Sequence, residues 1–147
     1  MNEAPASASI SFDSLVEVGE HLFATRSSNV FAAKERGSGE WVTAFMLRCQ
    51  LSPNSEGAEI FLKRMEIISR LPLATPYIRR FGVDQSGKAY VISDPLTGDK
   101  VTKAEWPVET AISMFMQAVA IVSQLHQADL IVGDVSEESF RLDSQSR

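Results

Sequence analysis

The longest apolar segment of the chain, which begins at Pro107 and extends to about Gln127, constrains the fold more than any other feature. Its periodicity predicts a helix with two apolar stripes rather than one. The first stripe contains Val108, Ile112, Phe115, Val119 and Val122. The second stripe contains Ala111, Met114, Ala118, Ile121 and Leu125. Because such a helix must be covered on two sides, we expect it to pack on the domain before it and also on a partner, or on a continuation of the chain.

Short β-rich runs and a second helical segment precede this helix. Cap-type residues at 52–56 predict a helix start, and Pro72 ends the helical pattern. The periodic apolar residues of this helix are Phe61, Met65 and Ile68. Five runs predict strands, namely 16–18 with a break at Gly19, 30–33, 41–47, 77–81 and 89–92. The predicted order is therefore three strands, one helix, two strands and the long helix.

Composition excludes several classes of function. A net charge of −5 over 147 residues argues against a nucleic-acid partner, because phosphate binding requires a basic surface. The single Cys49 can form no internal disulfide and lacks companions at zinc spacing, and its apolar neighbours predict a buried, inert thiol. The N-terminus lacks the pattern of a signal peptide, and we expect no apolar run to be long enough to span a bilayer. We therefore predict a cytoplasmic location without a membrane partner.

Several segments resemble a protein kinase, at its small lobe and the start of its large lobe. Residues 30–34 and 39–42 resemble the second strand, its turn and the start of the third strand, and residues 61–71 resemble the C helix. Residues 125–126, 130–134 and 140–143 resemble the end of a long helix and the catalytic loop. The resemblance implies an α+β fold, in which a five-stranded antiparallel sheet with one packed helix is followed by a long apolar helix from an incomplete large lobe.

The same resemblance divides the chain into four parts. Residues 1–10 form a flexible tail, and residues 11–94 form the part that is similar to a kinase small lobe. Residues 95–106 form a hinge, and residues 107–147 form the start of the large lobe with a remnant of the catalytic loop.

The resemblance also implies that the nucleotide site is degraded. Kinases cover the nucleotide phosphates with a glycine-rich loop, whose three glycine positions fall here on Phe23, Thr25 and Ser28. The lysine of the third strand, which neutralises phosphate charge, is replaced by Phe45. The C-helix glutamate that positions this lysine falls on Arg64. Phenylalanine and arginine cannot form the ion pair, so the pair is lost as a unit.

The catalytic loop has lost its metal ligand. Asp134 keeps the position of the kinase base, but Ser139 replaces the asparagine that holds a metal ion. Asp134 without these partners is expected to be a turn or cap residue. We therefore predict no phosphoryl transfer, no cofactor and no metal.

Three hypotheses about function follow. The first is a non-catalytic, pseudokinase-like module that binds a protein partner or a second copy through the first stripe of the long helix. The second is a truncated piece of a longer serine/threonine protein kinase-like protein. The third is an acidic α/β chaperone or adaptor that dimerises through the long helix. A five-stranded antiparallel sheet with a helix beside it favours a kinase lobe, whereas a helix–strands–helix platform favours the chaperone.

Overall fold

A computed structural model describes residues 10–72, 76–100, 106–130 and 140–142 of the chain. Its helices are α1 (Phe12–Leu15), α2 (Glu56–Arg70) and α3 (Val108–Gln127). Its strands are β1 (Val16–Ala24), β2 (Ser28–Glu35), β3 (Trp41–Leu47), β4 (Ile78–Val83), β5 (Ala89–Ser93), β6 (Asp99–Lys100) and β7 (Arg141–Leu142). The two predicted helices and five predicted strands are present, while α1 and the β6–β7 pair were not expected.

The main sheet has the strand order β1-β2-β3-β5-β4, and all its neighbours are antiparallel. Helix α2 connects β3 to the edge strand β4 and packs beside it. This arrangement confirms the predicted α+β fold and favours the kinase lobe over the chaperone platform. A second, two-stranded sheet pairs β6, which follows β5, with β7, which follows α3. The region before α3 is therefore joined by backbone pairing to the region after it.

One face of the main sheet carries the hydrophobic core, and the short helix α1 covers it. The buried cluster contains Phe12, Val16, Ala33, Val42, Ala44, Tyr90 and Ile92. Phe12 is fully buried, and its ring centroid lies 5.3 Å from that of Tyr90. Four residues are too few to form a stable helix alone, so packing against the sheet must hold α1 in place.

The expected break at Gly19 is wrong, because β1 runs through this residue. A side chain at Gly19 would place its Cβ 3.0 Å from the carbonyl oxygen of Ala32 on the neighbouring strand. The β1–β2 register shifts between Val18 and His21, next to this close approach. The glycine therefore lets the two backbones come close at an irregular point of a continuous strand.

The turn between β4 and β5 contains a buried carboxylate at Asp84, which is 2% exposed. Its Oδ1 accepts hydrogen bonds from the backbone N–H groups of Ser86 and Lys88 and from the Ser86 hydroxyl, at 2.6–3.0 Å. Its Oδ2 accepts a 3.2 Å bond from the backbone N–H of Phe12. Burial by itself raises the pKa of Asp84, but these hydrogen bonds outweigh it and lower the pKa below its ordinary value. The ionised carboxylate therefore joins α1 to the turn.

A second polar cluster joins β4 to the ends of three other strands. The guanidinium of Arg79 bonds to the carboxylates of Asp94, Glu40 and Glu35. Asp94 follows β5, while Glu35 and Glu40 flank the β2–β3 turn. One guanidinium therefore links β4 to the end of β5, where the chain leaves the sheet, and to the β2–β3 turn.

The start of α2 agrees with the predicted cap signals. The Ser55 side chain accepts a 3.2 Å hydrogen bond from the backbone N–H of Ala58, and the helix ends at Arg70, shortly before Pro72. Phe61, Met65 and Ile68 are half-buried on the inner side of the helix. Local sequence signals therefore determine both ends of α2.

We expect Ser55→Ala to lower the free energy of unfolding by about 1 kcal/mol, because the N–H of Ala58 loses its side-chain acceptor. Chemical denaturation measures the change. Ser69→Ala is the matched control: its hydroxyl is exposed in the last turn of α2 and bonds only to the carbonyl of Glu66, so we expect a change within about 0.5 kcal/mol. Equal losses in the two variants would contradict a capping role for Ser55.

Helix α3 exposes four of the five residues of its first apolar stripe, and the fifth, Val122, is half-buried. None of its residues is buried, and Val108, Ile112, Phe115 and Val119 are all exposed. Most of the second stripe is half-buried, namely Met114, Ala118, Ile121 and Leu125. By length and composition α3 could cross a membrane, so the expectation that no run is long enough was wrong.

The prediction of a buried thiol was also wrong. Cys49 is exposed, because β3 ends at Leu47 and the chain leaves the sheet before reaching Cys49.

Candidate functional site

A continuous row of apolar side chains crosses the sheet on the face opposite the α1 core. Phe23 of β1 pairs with Val30 of β2, and Val30 pairs with Phe45 of β3. Phe45 then pairs with Val91 of β5, which pairs with Phe81 of β4. Directly paired residues lie on the same face of an antiparallel sheet. The row therefore runs Phe-Val-Phe-Val-Phe over all five strands, with Phe45 at its centre.

Val30 and Val91 of this row are buried, and the three phenylalanines are half-buried. We refer to Phe23, Val30, Phe45, Val91 and Phe81 as the apolar row. No side chain in it can hydrogen-bond to or neutralise a phosphate group, so the position that the resemblance assigns to the kinase lysine is entirely hydrophobic.

Arg64 does not face the apolar row as a charged partner. Its side chain is exposed, and within residues 10–72, 76–100, 106–130 and 140–142 it forms no ion pair or hydrogen bond. The inner side of α2 instead carries half-buried apolar residues.

Neither Lys34 nor Lys88 takes over the missing position. The Lys34 ammonium lies 4.9 Å from the centroid of the Trp41 ring and is exposed. Lys88 pairs with Asp13 of α1, at 3.0 Å. Because α1 covers the opposite face of the sheet, this lysine–carboxylate pair is remote from the apolar row.

The turn that the resemblance aligns with the glycine-rich loop is closed by its own hydrogen bonds. The backbone N–H of Thr25 donates to the carbonyl of Ser28 at 2.8 Å, and the N–H of Ser28 donates to Thr25 Oγ1 at 3.0 Å. A phosphate cradle needs backbone N–H groups that are free to turn toward the ligand. Two such groups here already have acceptors within the turn.

Phe23 also contacts a residue of the second sheet. The guanidinium of Arg141, in β7, lies 5.2 Å from the centroid of the Phe23 ring, within the range of a cation–π interaction. Since β7 belongs to the second sheet, this contact joins the first strand of the main sheet to the segment after α3. The Arg141 guanidinium therefore lies over the ring at the β1 end of the apolar row.

The connection after β5 is bonded to the same face of the sheet. The backbone N–H of Leu96 donates to Thr43 Oγ1 at 3.1 Å. Thr43 lies two residues before Phe45 on β3 and is buried, as is its cross-strand partner Ser93. A flat ligand between β3 and this connection would have to compete with Thr43 for the Leu96 N–H.

The structure thus brings some of the predicted positions together and separates others. Phe23 and Phe45 belong to one row, Thr25 and Ser28 form one turn, and Arg64 is exposed and bonds to neither. Asp134 and Ser139 lie outside the described residues, so their roles stay predictions. No group of three or more metal-ligating side chains occurs in the part of the chain that the structure describes.

The sequence missed several residues of this site. Val91 and Phe81 complete the row, Arg141 contacts Phe23, and Thr43 holds Leu96. The only sequence signal for the first two was their position within short β-rich runs, and no local signal pointed to the last two.

No family model matches the chain, and no curated protein matches it. Among solved structures, it is similar to the crystal structure of a mutant of the PknI kinase domain from Mycobacterium tuberculosis, with a TM-score of 0.65 and 19% identity. The similarity covers 89% of this chain and 56% of that one, so this chain spans just over half the length of its structural neighbour. At this identity the likeness establishes the architecture alone. The chain has a protein kinase-like fold.

Proposed function

We propose that this chain is a non-catalytic, pseudokinase-like interaction module that does not transfer phosphoryl groups. The apolar row carries the proposal, because it replaces the charged centre of a kinase with phenylalanine and valine. Catalysis of phosphoryl transfer consists mainly of positioning and of neutralising phosphate charge. A site that lacks its lysine can do little to position the phosphate groups or to neutralise their charge.

Charge burial supports the same proposal. A triphosphate brought beneath Phe23 and Phe45 would lose water without gaining a positive partner from these side chains, and burying an unpaired charge is costly. Arg141 could supply one positive charge, but its guanidinium is stacked on Phe23. Nucleotide binding would therefore have to break this contact and open the Thr25–Ser28 turn.

We expect no magnesium-dependent rise in the Tm of the chain when ATP is added. A ligand at about 100 times its Kd would add about 2.7 kcal/mol to the free energy of unfolding, which thermal unfolding detects readily. Magnesium alone and ATP alone are the controls for nonspecific effects.

A double variant tests whether the loss of the ion pair, rather than a loss of the fold, explains the expected lack of nucleotide binding. Phe45→Lys with Arg64→Glu restores both charges at the positions that the family resemblance assigns. A magnesium- and ATP-dependent rise in Tm in this variant, but not in the wild-type chain, would attribute the loss to these two positions. A clear rise in the wild-type chain would contradict the proposal.

The interaction part of the proposal rests on α3. Its first stripe is apolar and exposed, and contiguous exposed apolar surface of this kind is typical of a binding face. Net acidity argues against nucleic acid as the partner. We therefore propose a cytoplasmic module whose partner is a polypeptide rather than a membrane or a nucleic acid.

A second candidate function is favoured by the length comparison. The chain matches 56% of the PknI kinase-domain chain, and the exposed stripe of α3 is a surface that further residues of a large lobe could cover. In this case the sequence is a piece of a longer kinase-like protein. An in-frame continuation after the Arg147 codon with an Asp-Phe-Gly-like segment would support this candidate, and an immediate stop codon would oppose it.

A further inference from the structure

We propose that the first stripe of α3 packs against the same stripe of a second copy of this chain, with the two helices antiparallel. The inference rests on the proposed interaction function and names the partner of that surface. It is argued from the spacing of the exposed residues and from the position of charge along α3.

The spacing of the first stripe, which is exposed except at the half-buried Val122, is that of a coiled-coil seam. Val108, Ile112, Phe115, Val119 and Val122 are separated by four, three, four and three residues, and His126 follows after four more. This is a strict 3.5-residue repeat, which keeps one narrow stripe facing a partner helix along its whole length. Val108 and Phe115 are 73% and 68% exposed, so the middle of the seam is as open as its start.

The residues beside the seam allow close approach of a second helix. Ala111 and Ala118 flank it on one side, and Met116 lies on the other and is exposed. Small side chains let helix backbones approach, and methionine adapts its shape to the surface it meets. Gln117 and Gln124 lie on the opposite side of α3, so the polar surface is separate from the seam.

The charge distribution selects the antiparallel direction. Glu109 in the first turn is the only formally charged residue of α3, and His126 lies in the last turn. An antiparallel pair centred between Phe115 and Val119 brings Val108 of each copy level with His126 of the other, so that Glu109 lies beside the last turn of the partner helix. It also places each helix N-terminus beside the C-terminus of its partner, so that the helix dipoles oppose. A parallel pair would place both helix N-termini, and with them both Glu109 residues, at the same end of the dimer.

A second copy also fits the symmetry of the seam. In a two-fold interface the same surface serves both partners, so it must be complementary to itself. Here Phe115 of each copy faces Val119 of the other, which alternates large and small side chains across the axis. An unrelated protein or a lipid bilayer would give no reason for this match between the two halves of the stripe.

Sedimentation velocity over a range of concentrations tests the proposal on the full 147-residue chain. We expect the wild-type chain to dimerise and Phe115→Glu to weaken self-association roughly 30-fold or more, as expected for a central aromatic contact. Gln117→Glu is the matched control, since it adds the same charge to an exposed site of the same helix and should leave the dimer unchanged. An unchanged Tm in both variants at a concentration where the chain is monomeric shows that folding is retained.

Cysteine crosslinking tests the direction of the pair. In a Cys49→Ser background, which removes the native exposed thiol, Val108→Cys alone should form no crosslinked dimer. The same change combined with His126→Cys should form one, because these positions lie about 27 Å apart along one helix and meet only between antiparallel copies. Efficient crosslinking of Val108→Cys to itself would overturn the antiparallel arrangement.

The remaining outcomes also overturn the inference. A wild-type chain that stays monomeric at every concentration, or a Phe115→Glu variant that dimerises as the wild type does, excludes the seam as a self-association surface. Flotation of the monomer with phosphatidylcholine vesicles, lost in Phe115→Glu, would assign the stripe to a membrane. Each of these results leaves the nucleotide experiment unaffected, so a failed dimer and a failed non-catalytic function are distinguished.

Discussion

Phe12→Ala is expected to lower the free energy of unfolding by about 3–5 kcal/mol, the cost of removing a fully buried aromatic side chain. Phe12 is 0% exposed and packs on Tyr90 within the core cluster. The loss should lie at the upper end of this range, because α1 has only four residues and its packing on the sheet depends on this ring. Since domains of this size are stable by about 5–15 kcal/mol, the variant should be close to unfolding at room temperature.

Chemical denaturation with the midpoint and slope fitted separately measures this loss. Ile10→Ala is the matched control: it removes an apolar side chain just before α1 at a site that is 42% exposed, so its effect should stay within about 0.5 kcal/mol. Phe12→Leu keeps much of the buried volume and should fall between the two. A loss under about 1 kcal/mol in Phe12→Ala would show that α1 contributes little to the fold.

Asp84→Ala is expected to lower the free energy of unfolding by about 2–4 kcal/mol, since it leaves one buried and two partly buried backbone N–H groups without an acceptor. The affected donors belong to Phe12, Ser86 and Lys88. Asp84→Asn should recover only part of this loss, because its NH₂ group would point a donor at groups that are themselves donors.

The effect of Asp84 also depends on pH. The folded state lowers the pKa of Asp84 relative to the unfolded chain, so the ionised carboxylate stabilises the fold above the ordinary aspartate pKa of 3.8. This stabilisation is lost as the pH falls through the lowered folded-state pKa. The difference in stability between wild type and Asp84→Asn should therefore be constant near neutral pH and shrink in acid. A difference that grows in acid would contradict the assigned direction.

Local signals explain which parts of the fold were predictable. Ser55 and Pro72 mark the ends of α2 through short-range chemistry, and the strands of the main sheet were recognisable as β-rich runs. Helix α1 was not, because four residues are too short to show a helical period, and the groups that hold it, including the core around Tyr90 and the turn at Asp84, are distant in the sequence. The continuous course of β1 through Gly19 was missed for a related reason. The glycine is required by the close approach of the neighbouring strand β2, not by a break in β1 itself.

The candidate site was predictable only in part. The family resemblance placed Phe23 and Phe45 in one region, but it could not align them with Val91 and Phe81. A shift of one residue in strand pairing moves every side chain to the other face, and the sequence does not determine the register between strands far apart in the chain. The exposure of Cys49 has the same origin, since it depends on the residue at which β3 ends.

The residues of the Arg79 cluster differ in how well their substitution should be tolerated. Its three carboxylates are mutual substitutes, because the loss of any one still leaves the guanidinium two acceptors. The arginine has no such substitute, and its removal would leave three like charges facing one another where the chain leaves the sheet. Single substitutions of Glu35, Glu40 or Asp94 should therefore be tolerated one at a time, whereas Arg79 has to be kept for any of them to be tolerated.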